Sequence, residues 1–209
     1  MGYPRAPRQP ATLRWIEGPL ERVTAPTLDP LTLEELKLHC KVDHTADDSH
    51  LTNCAKAAVE YVEDAIPGNW QILQATYDLP VACWWEELRL PRPPLQSVTW
   101  IKYYDTAGTQ QTLATTYYQV RTPWRQPGRI HRAALQSWPG LQVDRPYPIT
   151  VRLVCGAAAA SAVPYKLKQA VLMLTEHWYL NREAIGEVNG EMALAVTRLC
   201  EQSGWGFYG

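Results

Sequence analysis

The chain is expected to fold as an α+β protein: a helical bundle made from N- and C-terminal helices, with an antiparallel β-sheet or meander inserted between them. Three observations predict this. Apolar residues recur at helical spacing in the segments 31–69 and 157–203. Between Trp70 and Cys155 the apolar period shortens to two, as in half-buried strands. Neither helical segment can bury its stripe alone, so helices from the two ends must pack together.

Residues 1–30 combine prolines and arginines with little periodicity and read as an extended arm, ordered only where a partner holds it. The first helix has a strong start signal. Thr32 and Glu35 form a T-x-x-E capping box, Leu31 can staple onto Leu36, and the helix ends near Cys40. A longer helix follows, capped by Thr45 or a neighbouring aspartate, with Asp47 and Asp48 placed well for the helix dipole. Leu51, Cys54, Ala55, Ala58, Val62 and Ala65 make its buried stripe, and Pro67-Gly68-Asn69 stops it.

The inserted region, 70–156, opens with a strand in which Leu73, Ala75, Tyr77 and Leu79 alternate with polar residues. A short strand, a proline break at Pro91–Pro94 and a β-branched and aromatic strand over 96–104 come next. Asp105-Thr106-Ala107-Gly108 is a turn that leads into TQQTLA and TYYQVR, a meander. GRIHR adds a short strand, and ITVRLVC closes the region with Ile149, Val151, Leu153 and Cys155 on one face. The helix from Val163 to Ala184 carries Leu167, Ala170, Val171, Leu174 and Trp178 on one stripe, and Pro164 suits its first turn. A short helix around Glu191–Cys200 completes the bundle over 157–203, and residues 204–209 form an aromatic tail. The bundle core is thus assigned to Leu51, Ala58, Val62, Leu167, Val171, Leu174 and Trp178.

A chain of 209 residues suits one domain with a sizeable excursion. Twenty basic residues against 21 acidic ones leave no whole-chain signature of nucleic-acid binding. No apolar run approaches the ~20 residues of a membrane span, and the N-terminus has no secretory apolar core. Five cysteines without a C-x-x-C pair read as free thiols.

Sites of chemistry are scarce. His39, Cys40, His44, His50 and Cys54 crowd together with zinc-compatible donors, but their spacing matches no paired-ligand pattern, so no metal is assigned. No nucleophile elbow, phosphate-binding loop or H-E-x-x-H motif occurs, and no cofactor or catalytic residue is assigned. Nine Trp and eleven Tyr stand against one Phe, a choice that favours half-buried and interface positions. Adjacent Trp84 and Trp85 are candidate partner-contact aromatics, unless their rings cover an edge of the sheet. Trp205, Phe207 and Tyr208, set among glycines, either fold back or plug a neighbour's groove.

Several segments in order resemble the head–tail connector (adaptor, or head-completion) proteins of long-tailed bacteriophages and related gene transfer agents. They are LTLEELKLHCKVDHTADDSHL, QATYDL, LRLPRPPLQSVTWIKYYDTAGTQQTLATTYYQV and ITVRLVCGA leading to VPYKLKQAVLMLTEHWYLNREA. The resemblance spans about residues 31–185. It implies a structural virion protein, not an enzyme, located at the virion neck after assembly in the host cytoplasm. It implies as partners the portal protein, neighbouring copies in a twelvefold ring, a downstream neck or tail protein, and DNA passing without sequence-specific binding. Docking of Trp205, Phe207 and Tyr208 on the portal is the corresponding expectation for the tail. The alternatives are another neck protein (a stopper or tail terminator), which would be dominated by β-structure, and a carbohydrate-binding module stacking sugars on Trp84, Trp85 and Trp124. A hydrolase of unrecognised type has no nucleophile–base spacing to support it.

Overall fold

The computed structural model describes residues 17–65, 69–123, 126–181 and 195–199. Three helices, α1 (Leu33–Cys40), α2 (Asp48–Ala65) and α3 (Tyr165–Leu180), form one body. The capping box of α1 is closed from both sides: the Glu35 amide donates to Thr32 Oγ1 at 3.2 Å, and the Thr32 amide to Glu35 Oε2 at 2.7 Å. Lys41, at φ 56°, turns the chain out of the helix. Lys37 then bridges to Asp48 at 2.8 Å, tying the end of α1 to the start of α2.

Leu51, Ala58 and Val62 of α2 and Leu167, Val171 and Leu174 of α3 are all essentially inaccessible and belong to one apolar cluster. Trp178 joins it with its ring edge-on to Tyr61, centroids 6.0 Å apart. Residues 195–199 are helical, and Val196 is buried in the same cluster.

The β region is two sheets, not the single sheet with a meander that the residue pattern suggests. A five-stranded antiparallel sheet has the order β1 (Glu21–Thr24), β2 (Ala75–Val81), β8 (Ile149–Cys155), β4 (Leu95–Tyr104), β5 (Gln110–Thr112). A three-stranded one has the order β3 (Glu87–Arg89), β7 (Arg129–Arg132), β6 (Tyr118–Arg121). The meander breaks after β5. A 3₁₀ turn at Thr115–Tyr117 carries β6 across to β7, so β5 and β6 lie in different sheets. The physical reason is coverage: one flat sheet would leave the face made by Tyr77, Ile101, Val151 and Leu153 in water. Leu88, Tyr118 and Ile130 of the small sheet share a buried cluster with that face.

A second difference concerns the arm. Glu21–Thr24 pairs with β2 as an edge strand, and Glu17 and Gly18 extend the contact to Val81 and Pro80. The backbone groups of β2 gain partners there while all four β1 side chains stay exposed, so no apolar pattern marked it. Residues 1–16 lie outside the described residues.

Helices and sheet meet at one seam. The Gln71 amide donates to Pro93 O, the Ala157 amide to Ile72 O and the Gln74 amide to Ala157 O, each at 2.9 Å. Glu63 Oε1, near the end of α2, accepts from Gln71 Nε2 and from the Ile72 amide, both at 2.8 Å. Tyr77 Oη donates to the buried Gln71 Oε1.

Candidate assembly surfaces

The described residues contain no group of three or more His, Cys, Asp or Glu side chains placed to hold a metal. The crowded His and Cys segment is split among structural roles. His39 Nε2 lies 3.1 Å from Glu176 Oε2, pairing α1 with α3. His50 Nε2 lies 3.8 Å from the buried Cys54 Sγ within α2. Burial also governs thiol chemistry: desolvation pushes Cys155 up to about 12 and raises Cys40 as well. Among the described cysteines only Cys83 is exposed. Maleimide labelling of the native protein is therefore expected to reach Cys83 within minutes and to leave Cys54 and Cys155 unmodified until the chain unfolds, with peptide mass mapping as the readout.

Trp84 and Trp85 do not form an exposed platform. Trp85 is 6% exposed and sits in the core between the sheets. Trp84 stacks on Trp138 with centroids 4.6 Å apart and planes 6° from parallel, and its Nε1 donates to Pro139 O at 2.7 Å. Trp138 Nε1 in turn donates to Trp85 O at 2.9 Å. The adjacent pair is consumed in pinning the long connection between β7 and β8 onto the sandwich. The partner residue, Trp138, escapes a sequence reading because 53 residues separate it from Trp85 and no local period links them. The only hint is its place before a Pro-Gly pair in a connection without strand alternation.

Large apolar side chains do stand in solvent elsewhere. Leu38 on α1, and Tyr165 and Leu180 at the two ends of α3, are exposed on the helical body. Leu135 and Val143 are exposed on the connection that Trp138 anchors, and Leu135 holds a left-handed backbone at φ 64°. These residues, rather than Trp84 and Trp85, offer apolar contact area to another chain. Trp205, Phe207 and Tyr208 lie outside the described residues, as does Trp124.

No helix among the described residues is long and apolar enough to cross a membrane. Arg152 meets Asp78 through two contacts of 2.7 Å and lies over the ring of Trp100, 4.5 Å from its centroid, which carries Lys102 at 4.6 Å as well. The pairing with Asp78 holds the Arg152 guanidinium even above its ordinary range.

Residues 30–82 match the phage gp6-like head-tail connector protein family. These residues comprise α1, α2, the seam and β2. The fold extends the likeness over nearly the whole chain. A chain in the neck of an empty gene transfer agent particle with C6 symmetry superposes with a TM-score of 0.72 at 24% identity, covering 89% of this chain and 95% of that one. A chain in the virion of a native gene transfer agent particle gives 0.68 at 22% identity, covering 86% and 93%. One in the neck of a native particle with C12 symmetry gives 0.68 at 22% identity, covering 88% and 94%. No curated protein matches the chain by sequence. The α+β fold and the resemblance to head–tail connectors, both expected from the residues, are borne out.

Proposed function

We propose that this chain is a structural subunit of a virion neck: a head–tail connector that docks below the portal after DNA packaging, closes into a ring, extends the DNA channel and forms the platform for the next neck or tail protein. The observation that carries the reading is the joint match, by family over α1 to β2 and by fold over about nine tenths of the chain, to proteins of particle necks. The C12 symmetry of one such neck supports a ring of this chain with twelvefold closure. In this reading the chain is not an enzyme and needs no cofactor. A stopper or tail terminator dominated by β-structure accords less well with the helical body of α1, α2 and α3. A sugar-binding platform on Trp84 and Trp85 is disfavoured by the burial of Trp85 and the stacking of Trp84 on Trp138.

Electron microscopy of the tagged protein purified from cells that assemble the particle is expected to show a twelvefold ring stacked on a portal. A lone monomer from cells that do contain portals would sink the reading. The tail residues Trp205, Phe207 and Tyr208 are assigned to the portal-facing contact, because three aromatics among glycines make a compact apolar anchor. Deletion of 204–209 is expected to abolish co-purification of the portal while thermal stability stays near that of the full chain. Retained portal attachment would remove the tail from the interface.

A further inference from the structure

Residues 17–29 cross the molecule without contributing to its core. No residue in this run is buried, and only Gly18, Leu20 and Pro26 are half-buried. Burial begins at Pro30 and Leu31, where the chain enters the helical body. The run is therefore a strap, held mainly by the backbone pairing of β1 with the edge of β2. That pairing is itself irregular. Glu21 and Arg22 oppose Asp78 and Tyr77, but the register shifts before Thr24 meets Thr76. Side-chain anchors are few. Leu20 packs at the margin of the sandwich core, and the Gly18 amide donates to Pro80 O at 2.8 Å. Arg22 is close enough to Glu63 to draw its carboxyl toward ionisation.

Packing beneath the strap is loose on both sides. One cavity of about 250 Å³ lies between residues 24–28 and residues 73–76. Another of about 220 Å³ separates Pro26, Leu28 and Asp29 from Val59, Glu60 and Glu63 of α2. The two share Ala25, Pro26, Leu28 and Leu73, so the connection after β1 arches over open space. Leu28 on this arch is 53% exposed. Unfilled space forfeits contacts, and an edge strand with no buried side chain gives up little apolar burial on release. Opening the strap thus costs far less than opening β8, whose inner side chains are inaccessible.

We infer that β1 is an exchangeable strand: in the free subunit it pairs with β2 of its own chain, and in the ring it pairs with β2 of the neighbouring copy. The inference rests on the connector reading only for bringing copies side by side. The edge of β2 offers the same backbone donors and acceptors to either strand, so exchange changes the connectivity and keeps the pairing. Residues 25–29 carry the redirection, with a reach of about 17 Å when extended. A chain running outward to a neighbour no longer arches over the two cavities, which favours the exchanged form. Each copy gives one strand and takes one, a head-to-tail contact that closes into a ring. Neighbours held on one portal present their strands at an effective concentration on the order of millimolar.

The test is a disulfide placed across this pairing in the full chain. Thr24 and Thr76 are opposed in the register and neither is buried, so T24C/T76C, made together with C83S, leaves core packing intact. Diamide oxidation of the free subunit is expected to link residues 24 and 76 within one chain, which runs as a monomer on a non-reducing gel. Oxidation of rings isolated on portals is expected to give a ladder of joined chains, with peptide mass mapping placing the link between copies. T24C or T76C alone should give no ladder. Subunits oxidised before assembly should lose ring formation and regain it on reduction. Hydrogen exchange of the unsubstituted free subunit should release the β1 amides on the order of tenfold or more faster than those of β8. Rings that carry only the within-chain link, or oxidised subunits that assemble normally, overturn the inference and leave the ring on the portal standing. So does the absence of any link between 24 and 76, or exchange of β1 and β8 amides at one rate. Links between copies in cells that contain portals, with no ring found on them, support strand exchange and sink the connector reading instead.

Discussion

Replacement of Gly156 by alanine is expected to cost more than about 3 kcal/mol and to lower the melting temperature by on the order of 10 °C. Gly156 follows β8 and sits at φ 91°, where a side chain is strained in any surroundings. Space makes it worse. A Cβ built there would lie 2.2 Å from Leu73 O and 2.4 Å from Leu73 C, both backbone atoms held by the seam. The neighbourhood cannot yield, because the Gly156 amide donates to Pro94 O at 2.9 Å and Gln96 Nε2 donates to Gly156 O. Gly108 provides the internal comparison. It also has a positive φ, 78°, but its nearest neighbour would be the flexible Gln142 side chain at 3.7 Å. Gly108→Ala should therefore lose only about 1–2 kcal/mol, the conformational part alone. Differential scanning calorimetry of the two variants separates strain from collision. Equal losses would mean that the seam is pliable.

The contrast shows why some of this protein is legible in its residues and some is not. Helix positions were readable because each depends on neighbours three and four residues away. Leu167, Val171, Leu174 and Trp178 announce a buried stripe without reference to anything distant. The capping box of Thr32 and Glu35 is equally local. The alternation in β2 and β8 marks their inner faces in the same way. Division into two sheets was not readable, since it depends on which strand pairs with which. β5 and β6 are neighbours in sequence, yet one hydrogen-bonds to β4 and the other to β7. The Trp84–Trp138 stack is non-local for the same reason.

Glu63→Ala is the second substitution expected to have a large effect, about 2–5 kcal/mol, and its pH dependence identifies the cause. The alanine leaves the Ile72 amide and Gln71 Nε2 without their acceptor at a site where Gln71 is 1% exposed and Ile72 fully buried. Each orphaned donor costs about 1–3 kcal/mol. Glu63→Gln keeps an oxygen in place for both donors and should cost far less. The carboxyl itself is held above its ordinary range, chiefly by desolvation, with the Ile72 amide and Arg92 opposing the shift. A carboxyl raised in the folded state binds its proton more tightly there than in the unfolded chain. Its contribution to stability is thus greatest below the ordinary carboxylate range and declines as pH rises through the raised value. Glu17, raised by burial, acts in the same direction, so only the difference between wild type and Glu63→Gln isolates Glu63. In urea unfolding measured at a series of pH values, Glu63→Gln is expected to gain on wild type as pH rises from mildly acidic to neutral. A constant gap across that range would assign the role of Glu63 to its hydrogen bonds alone. If Glu63→Gln instead lost ground to wild type as pH rises, the ionised carboxylate, through Arg92 and Arg22, would be what holds α2 against the sheet.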